Sequence, residues 1–257
     1  MTPRLCLLAH RTEVLMNPFR RVGICFTLSL LSFGHVQAVN LVFTPTLLNI
    51  NPIRTLNAST SVQNKDTVPV EFTVEVMRWS QQDGKDVLEL TPEVLTNPPR
   101  FVLEPGRTQT IRVGLRTRGS LPEATYRVVL TGTPKSTPLI STANAATVSG
   151  SITTRYAFSL PLFVTVPGAV AHLRPRLEQT PDGLVLRWTN DGTAAASLRN
   201  SSVTHGGEKV PVGGTYVLAG STVTLPLPLH DYPQDGLSVS YTDQGQEKHE
   251  RLGLQTP

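Results

Sequence analysis

The sequence has 257 residues, enough for one large domain or two modest ones. It holds 19 Gly and 21 Pro with only 16% charged residues, which argues against long amphipathic helices and for an all-β fold rich in turns. The formal net charge of +4 is largely an N-terminal property and makes no case for nucleic acid or membrane binding.

From Met16 the chain reads MNPFRRVGICFTLSLLSFGHVQA, and the fifteen residues before it add nothing to the pattern. Arg20 and Arg21 precede an apolar run from Val22 to Phe33, and small residues close it at Ala38. This predicts a secretory signal peptide over residues 1–38, with an apolar run too short to span a bilayer. Both cysteines, Cys6 and Cys25, lie inside it, so the mature chain has none and its core must stabilise it without disulfides. Residues 1–38 also carry four Arg and one Glu, which leaves 19 Lys and Arg against 18 Asp and Glu. No later stretch is long and apolar enough to span, so an exported, soluble protein is expected.

Short strands follow in close order. Val39 to Ile50 is extended and interrupted by Pro45. Ser59 to Gln63 alternates. Pro69 to Trp79 is the clearest period-2 run, with Val70, Phe72, Val74 and Val76 against Glu71, Thr73 and Glu75. Gln81 to Asp86 (QQDGKD) reads as a hairpin turn, and Leu88 to Leu90 as a short strand after it. Phe101 to Leu103 and Thr108 to Leu115 flank EPG, and Thr125 to Thr133 ends at Pro134. The polar run 134–151 has no periodicity and reads as a surface loop. Ile152 to Val166 then forms one long predicted strand, and Pro167-Gly168 marks a domain boundary. Beyond it, Leu184–Thr189, Ala194–Val203, two strands around Ala219-Gly220, and Leu237–Tyr241 repeat the sandwich style.

Residue patterns for catalysis are not found. There is no Gly-x-Ser-x-Gly elbow and no Gly-rich phosphate loop. The six His are scattered with no ligand spacing, and no mature cysteine supports a zinc site, so no metal or cofactor is expected. Trp79 and Trp188 read as core residues.

Ile152 to Val166 is the unusual object. Ile152, Thr154, Tyr156, Phe158, Leu160, Leu162, Val164 and Val166 share one parity over about three times the common strand length. Periodicity alone fits a core strand shared by two sheets as well as an edge strand offered to a partner. A long apolar edge is hazardous unless it serves pairing.

Three motifs carry a resemblance: NPPRFVLEPGRTQTIRV (97–113), LPEATYRVVLTGTP (121–134) and LPLFVTVPG (160–168), with weaker support from YVLAGSTVTL (216–225) and SYTDQG (240–245). In this order and spacing the chain resembles the periplasmic chaperones of the chaperone–usher pathway over nearly all of residues 39–254. VEVMRWSQQDGKD (74–86) is similar to the archaic branch. That family is a recognised instance of the immunoglobulin-like sandwich and of strand donation to a partner.

The resemblance implies an all-β chain of two immunoglobulin-like domains, residues 39–167 and 168–257, in an L or boomerang arrangement. It implies no enzyme activity. It implies a periplasmic chaperone that binds, folds and caps pilus subunits and delivers them to an outer-membrane usher. The last strand of the first domain would be the donor, through Ile152, Thr154, Tyr156, Phe158 and Leu160. Arg112 would pair with Glu123 and Asp243 to fix the angle between domains. It also leaves room for a free chaperone that covers its donor edge by dimerising. One departure stands out. The conventional members hold the subunit's terminal carboxylate with basic residues on the first and last strands of the first domain. Here those positions fall near Pro45 and Pro161, so the candidate anchors become Arg127, then Arg155, then Arg54. Arg127 lies on the parity opposite Tyr126, Val128 and Leu130, which would turn it outward into the cleft that the resemblance implies between the two domains, where a pilus subunit would sit. The other function class is an exported adhesin or carbohydrate-binding module. It would show exposed aromatics or a metal site on loops.

Overall fold

Alternation in residues 70–76 sets the centre of the first sandwich. Val70, Phe72, Val74 and Val76 turn inward and are nearly inaccessible, while Glu71, Thr73 and Glu75 face the other way. The computed structural model describes residues 40–119, 122–135, 154–229, 236–243 and 246–255. The predicted signal peptide lies outside the described residues, as does the polar loop from residue 136 onward.

In the first half the strands are β1 (Leu41–Thr44), β2 (Leu48–Ile50), β3 (Asn57–Asn64), β4 (Val70–Gln82), β5 (Lys85–Leu90), β6 (Val94–Asn97), β7 (Arg100–Leu103), β8 (Thr108–Leu115), β9 (Glu123–Pro134) and β10 (Tyr156–Thr165). The second half holds β11 (Leu173–Thr180), β12 (Gly183–Asn190), β13 (Ala196–Ser197), β14 (Ser202–His205), β15 (Glu208–Pro211), β16 (Tyr216–Val217), β17 (Thr222–Pro226), β18 (Leu237–Asp243), β19 (Gln246–Leu252) and β20 (Leu254–Gln255). Among the described residues no helix is long and apolar enough to cross a membrane.

Two sheets form the first sandwich. One runs β1-β3-β8-β6, the other β2-β10-β9-β4-β5 with β7 also pairing β4. Their inner faces share one core that includes Leu48, Ile50, Phe72, Ile111, Val128, Leu130 and Leu162. In the second sandwich β17-β12-β11-β20 faces β15-β14-β18-β19, and Trp188 meets Tyr241 edge-on at 4.9 Å in its centre. Each fully buried side chain of this size contributes about 1.5–3 kcal/mol, so these two clusters dominate the stability of the two sandwiches, which contain no cysteine.

The β4–β5 turn is the predicted hairpin. Asp83 and Gly84 have φ of 49° and 75°, a pair of left-handed residues that suits the twist of two-residue hairpins. Three expectations change. Ala194–Val203 is not one strand but β13 and β14, because Ser201 Oγ donates to the Leu198 and Val212 carbonyls and turns the chain. The long strand covers ten residues, Tyr156–Thr165, rather than fifteen. Trp79 is buried, but not in a sandwich core: it joins Phe163 and Leu218 in a third apolar cluster where the two sandwiches meet.

Candidate functional site

β10 is paired unequally on its two sides. Along its whole length it is antiparallel to β9, from Tyr156 opposite Gly132 to Thr165 opposite Glu123. On its other side β2 covers only Leu162 to Val164. Among the described residues no strand pairs the outer edge from Tyr156 to Pro161, so the backbone groups there are open to another chain. Pro161, which has no N–H to donate, ends the open run where β2 takes over.

The side chains divide in the same way. Leu160, Leu162 and Val164 belong to the first core, with Leu160 only 7% exposed. Phe158 is half-buried and lies 4.8 Å from Phe43 of β1, centroid to centroid. Tyr156 is half-buried and Thr154 exposed. The donor set read from the sequence is therefore corrected at Leu160, whose side chain packs inside its own sandwich with Leu162 and Val164 although β2 pairs the strand only from Leu162 onward. Ile152 lies outside the described residues. Phe43 was missed by sequence reasoning, although the alternation of the first strand could have placed it on the face of Phe158.

Arg127 sits opposite Pro161 in the β9–β10 register, at the closed end of the open edge. Its guanidinium lies 3.6 Å from the Trp79 ring centroid and 5.8 Å from that of Tyr216. Asp86 of β5 approaches it at 3.6 Å, and the Arg127 side chain is only 16% exposed. Burial lowers its pKa, with Asp86 acting the other way. Arg127 thus faces away from the first core, as its parity requires, and rests on the apolar cluster at the junction. Arg155 is exposed just before β10, and Arg54 is exposed in the turn after β2.

The proposed trio of Arg112, Glu123 and Asp243 is not assembled. Arg112 is exposed on β8, in the sheet that contains neither β9 nor β10. Glu123 instead accepts hydrogen bonds from Thr165 Oγ1 at 2.8 Å and from the Ala195 backbone N–H at 2.6 Å. Asp243 is 2% exposed and pairs with Lys248 at 2.5 Å. Each carboxylate is held by its neighbours on the sheet or across the junction. Glu123 does reach the second sandwich, but through a backbone amide rather than an arginine. Burial raises its pKa despite those two bonds.

A separate network lines a cavity of about 200 Å³ in the first sandwich, beside Arg118 and Val164. Arg78 meets Glu93 at 2.5 Å, and Tyr126 Oη donates to the same carboxylate at 2.6 Å. The bond from Tyr126 lowers the Glu93 pKa, while burial pushes the Tyr126 hydroxyl up to about 12.

The model of the pili and flagellar-assembly chaperone family, PapD N-terminal domain, matches residues 38–168. The chain belongs to this family. The chaperone is also similar in fold to several solved structures. One is a chain of the CsuC–CsuE chaperone–tip adhesion subunit pre-assembly complex from archaic chaperone-usher Csu pili of Acinetobacter baumannii, at 17% identity and a TM-score of 0.60 over 84% of this chain and 99% of that one. A second is a chain of the Salmonella enterica SafA pilin–SafB chaperone complex, at 19% identity and a TM-score of 0.57, covering 84% and 98%. A third is the Escherichia coli chaperone DraB, at 20% identity and a TM-score of 0.56, covering 85% and 98%. No curated protein matches the chaperone.

Proposed function

We propose that the chain is a periplasmic chaperone that offers the free edge of β10 to the incomplete sandwich of a pilus subunit and hands that subunit to an outer-membrane usher. One observation carries the reading: from Tyr156 to Pro161 the strand is bonded on one side only, beside the apolar pair Phe43–Phe158. Backbone pairing would give register, and Thr154, Tyr156 and Phe158 would supply the side chains that fill the guest's groove. Each large apolar group buried there would add about 1.5–3 kcal/mol, well above any exposed ion pair. Arg127, opposite Pro161 at the closed end of the edge, would receive the guest's terminal carboxylate. Residues 1–38 would direct export and be removed, and residues 39–167 and 168–257 would be the two domains.

The adhesin or carbohydrate-binding alternative wants exposed aromatic side chains. Trp79 and Trp188 are 2% and 0% exposed, both engaged internally. Co-expression in the periplasm with the pilin-like products of neighbouring reading frames tests the choice. A chaperone protects one of them from degradation and co-purifies with it one to one. Glycan or surface binding without such a partner would refute it.

A further inference from the structure

The tip of the first sandwich reaches the second through one amide side chain. Gln81, on the outer face of β4, donates from Nε2 to the Tyr216 carbonyl at 2.9 Å and accepts the Leu218 N–H on Oε1 at 2.9 Å. Bonds to residues n and n+2 of an extended segment are what one strand residue makes to its neighbour, so the side chain stands in for a strand. The second Nε2 hydrogen goes to Asp86 Oδ1 at 3.0 Å. That bond fixes the amide orientation: the flipped amide would set NH₂ against N–H and oxygen against carboxylate. Asp86 in turn faces Arg127. The turn itself abuts the second sandwich, since a Cβ built on Gly84 would lie 3.7 Å from the Thr222 carbonyl oxygen of β17.

We propose that the β4–β5 hairpin is a latch between the sandwiches and that Gln81 is its positioning residue, tying the seat of Arg127 to the second sandwich. The latch stands on these contacts alone; its consequence for the cleft rests on the chaperone reading above. With the latch closed, Asp86, Arg127 and Trp79 share one fixed frame with Tyr216. With it open, the sandwiches are still held by the Glu123–Ala195 bond and the cluster of Trp79, Phe163 and Leu218, but the β4–β5 hairpin that carries Asp86 to Arg127 is no longer fixed to Tyr216.

The test is a distance measurement between the sandwiches in protein purified from the periplasm. Spin labels go on Glu104→Cys and Glu208→Cys, both exposed, in a mature chain that has no other cysteine. The starting protein is expected to give one narrow distance distribution. Gln81→Ala removes both bonds, shifts the latched-to-open ratio by about tenfold or more, and broadens the distribution. Gln81→Glu keeps the shape but sets a carboxylate against the Tyr216 carbonyl and Asp86. It broadens the distribution at neutral pH, and narrowing returns in acid, when the protonated group donates again; Arg127 stays charged throughout. Gln81→Ala has no such acid rescue, which separates hydrogen bonding from mere space filling. Near-UV circular dichroism checks that both cores remain folded, and Gln81→Glu carries the test if Gln81→Ala does not fold. Unchanged distributions in both variants overturn the latch. If the labels report a latch but no pilin-like partner is ever captured, the chaperone reading falls and the latch survives. If a partner is captured, Gln81→Ala is expected to weaken capture about tenfold, and undiminished capture with an opened latch removes its role at the cleft.

Discussion

Glu123 Oε1 accepts the backbone N–H of Ala195 at 2.6 Å, so one carboxylate at the start of β9 carries a hydrogen bond from the first sandwich into the second. Truncating it leaves that N–H without its acceptor at a partly buried junction. Glu123→Ala is expected to cost about 1–3 kcal/mol in chemical denaturation, and Glu123→Gln, which keeps a carbonyl for Ala195, much less.

The same residue gives a pH signature. Burial raises the Glu123 pKa above its ordinary 4.5, so the folded chain holds this proton more tightly than the unfolded one. Its contribution to stability is largest when protonated and declines as pH rises from 4.5 through the raised value. Against Glu123→Gln, the parent protein should lose melting temperature across that window. Parallel curves for the two proteins would refute the assignment.

Neighbouring residues of β10 should separate stability from binding. Leu160→Ala empties a site in the protein's own core and is expected to cost about 2–5 kcal/mol in thermal unfolding. Phe158→Ala removes a half-buried ring at the open edge, so it should cost less stability and more partner capture. The comparison is read by differential scanning calorimetry beside pull-down of the pilin-like partner. Equal losses from both substitutions in both assays would contradict the division of the strand.

Arg127 combines charge with a stacked ring. Arg127→Lys keeps the charge but loses the flat contact with Trp79, and Arg127→Ala loses both. Capture of a partner with a free C-terminal carboxylate should fall in the order parent, Lys, Ala. A partner ending in an amide should bind all three alike, since the anchored charge is gone. Equal capture of the free-acid partner by parent and Arg127→Ala would remove Arg127 as the anchor.

Gly192 offers a backbone test. A Cβ there would lie 2.4 Å from the Val170 carbonyl oxygen and 2.5 Å from the His172 nitrogen, both main-chain atoms that cannot swing aside. Gly192→Ala should therefore push the segment entering β11 away and cost at least about 1–3 kcal/mol. Gly132→Ala meets mainly the Phe72 ring and Val70 methyl, side chains that can shift, and should be milder by the same measurement.

Much of the fold was legible because alternation is a local property. β4, β8 and β9 follow the runs read from Val70, Thr108 and Thr125 within a few residues. β11 escaped because Pro175 and three charged residues interrupt its signal, although Leu173, Pro175 and Leu177 are all turned inward. The site was legible in part. The sequence pointed to the strand around Tyr156 and Phe158, and parity turned Arg127 outward. It could not tell that Leu160 would turn into its own core while Phe158, on the same parity, stays half-buried, since that depends on which residues of the facing sheet lie against each. Nor could it reveal Gln81, an ordinary polar residue beside a turn whose partners lie 135 and 137 positions away. The trio of Arg112, Glu123 and Asp243 failed for the same reason: correct spacing along the chain does not put three charges on one side of a sheet.

Because the far half of β10 is rooted in its own interior, the ribbon cannot depart with whatever docks on it. On the chaperone reading, a guest that leaves takes none of this strand with it, and the molecule left behind keeps the exposed stretch in register. The same copy is then ready to serve again without refolding.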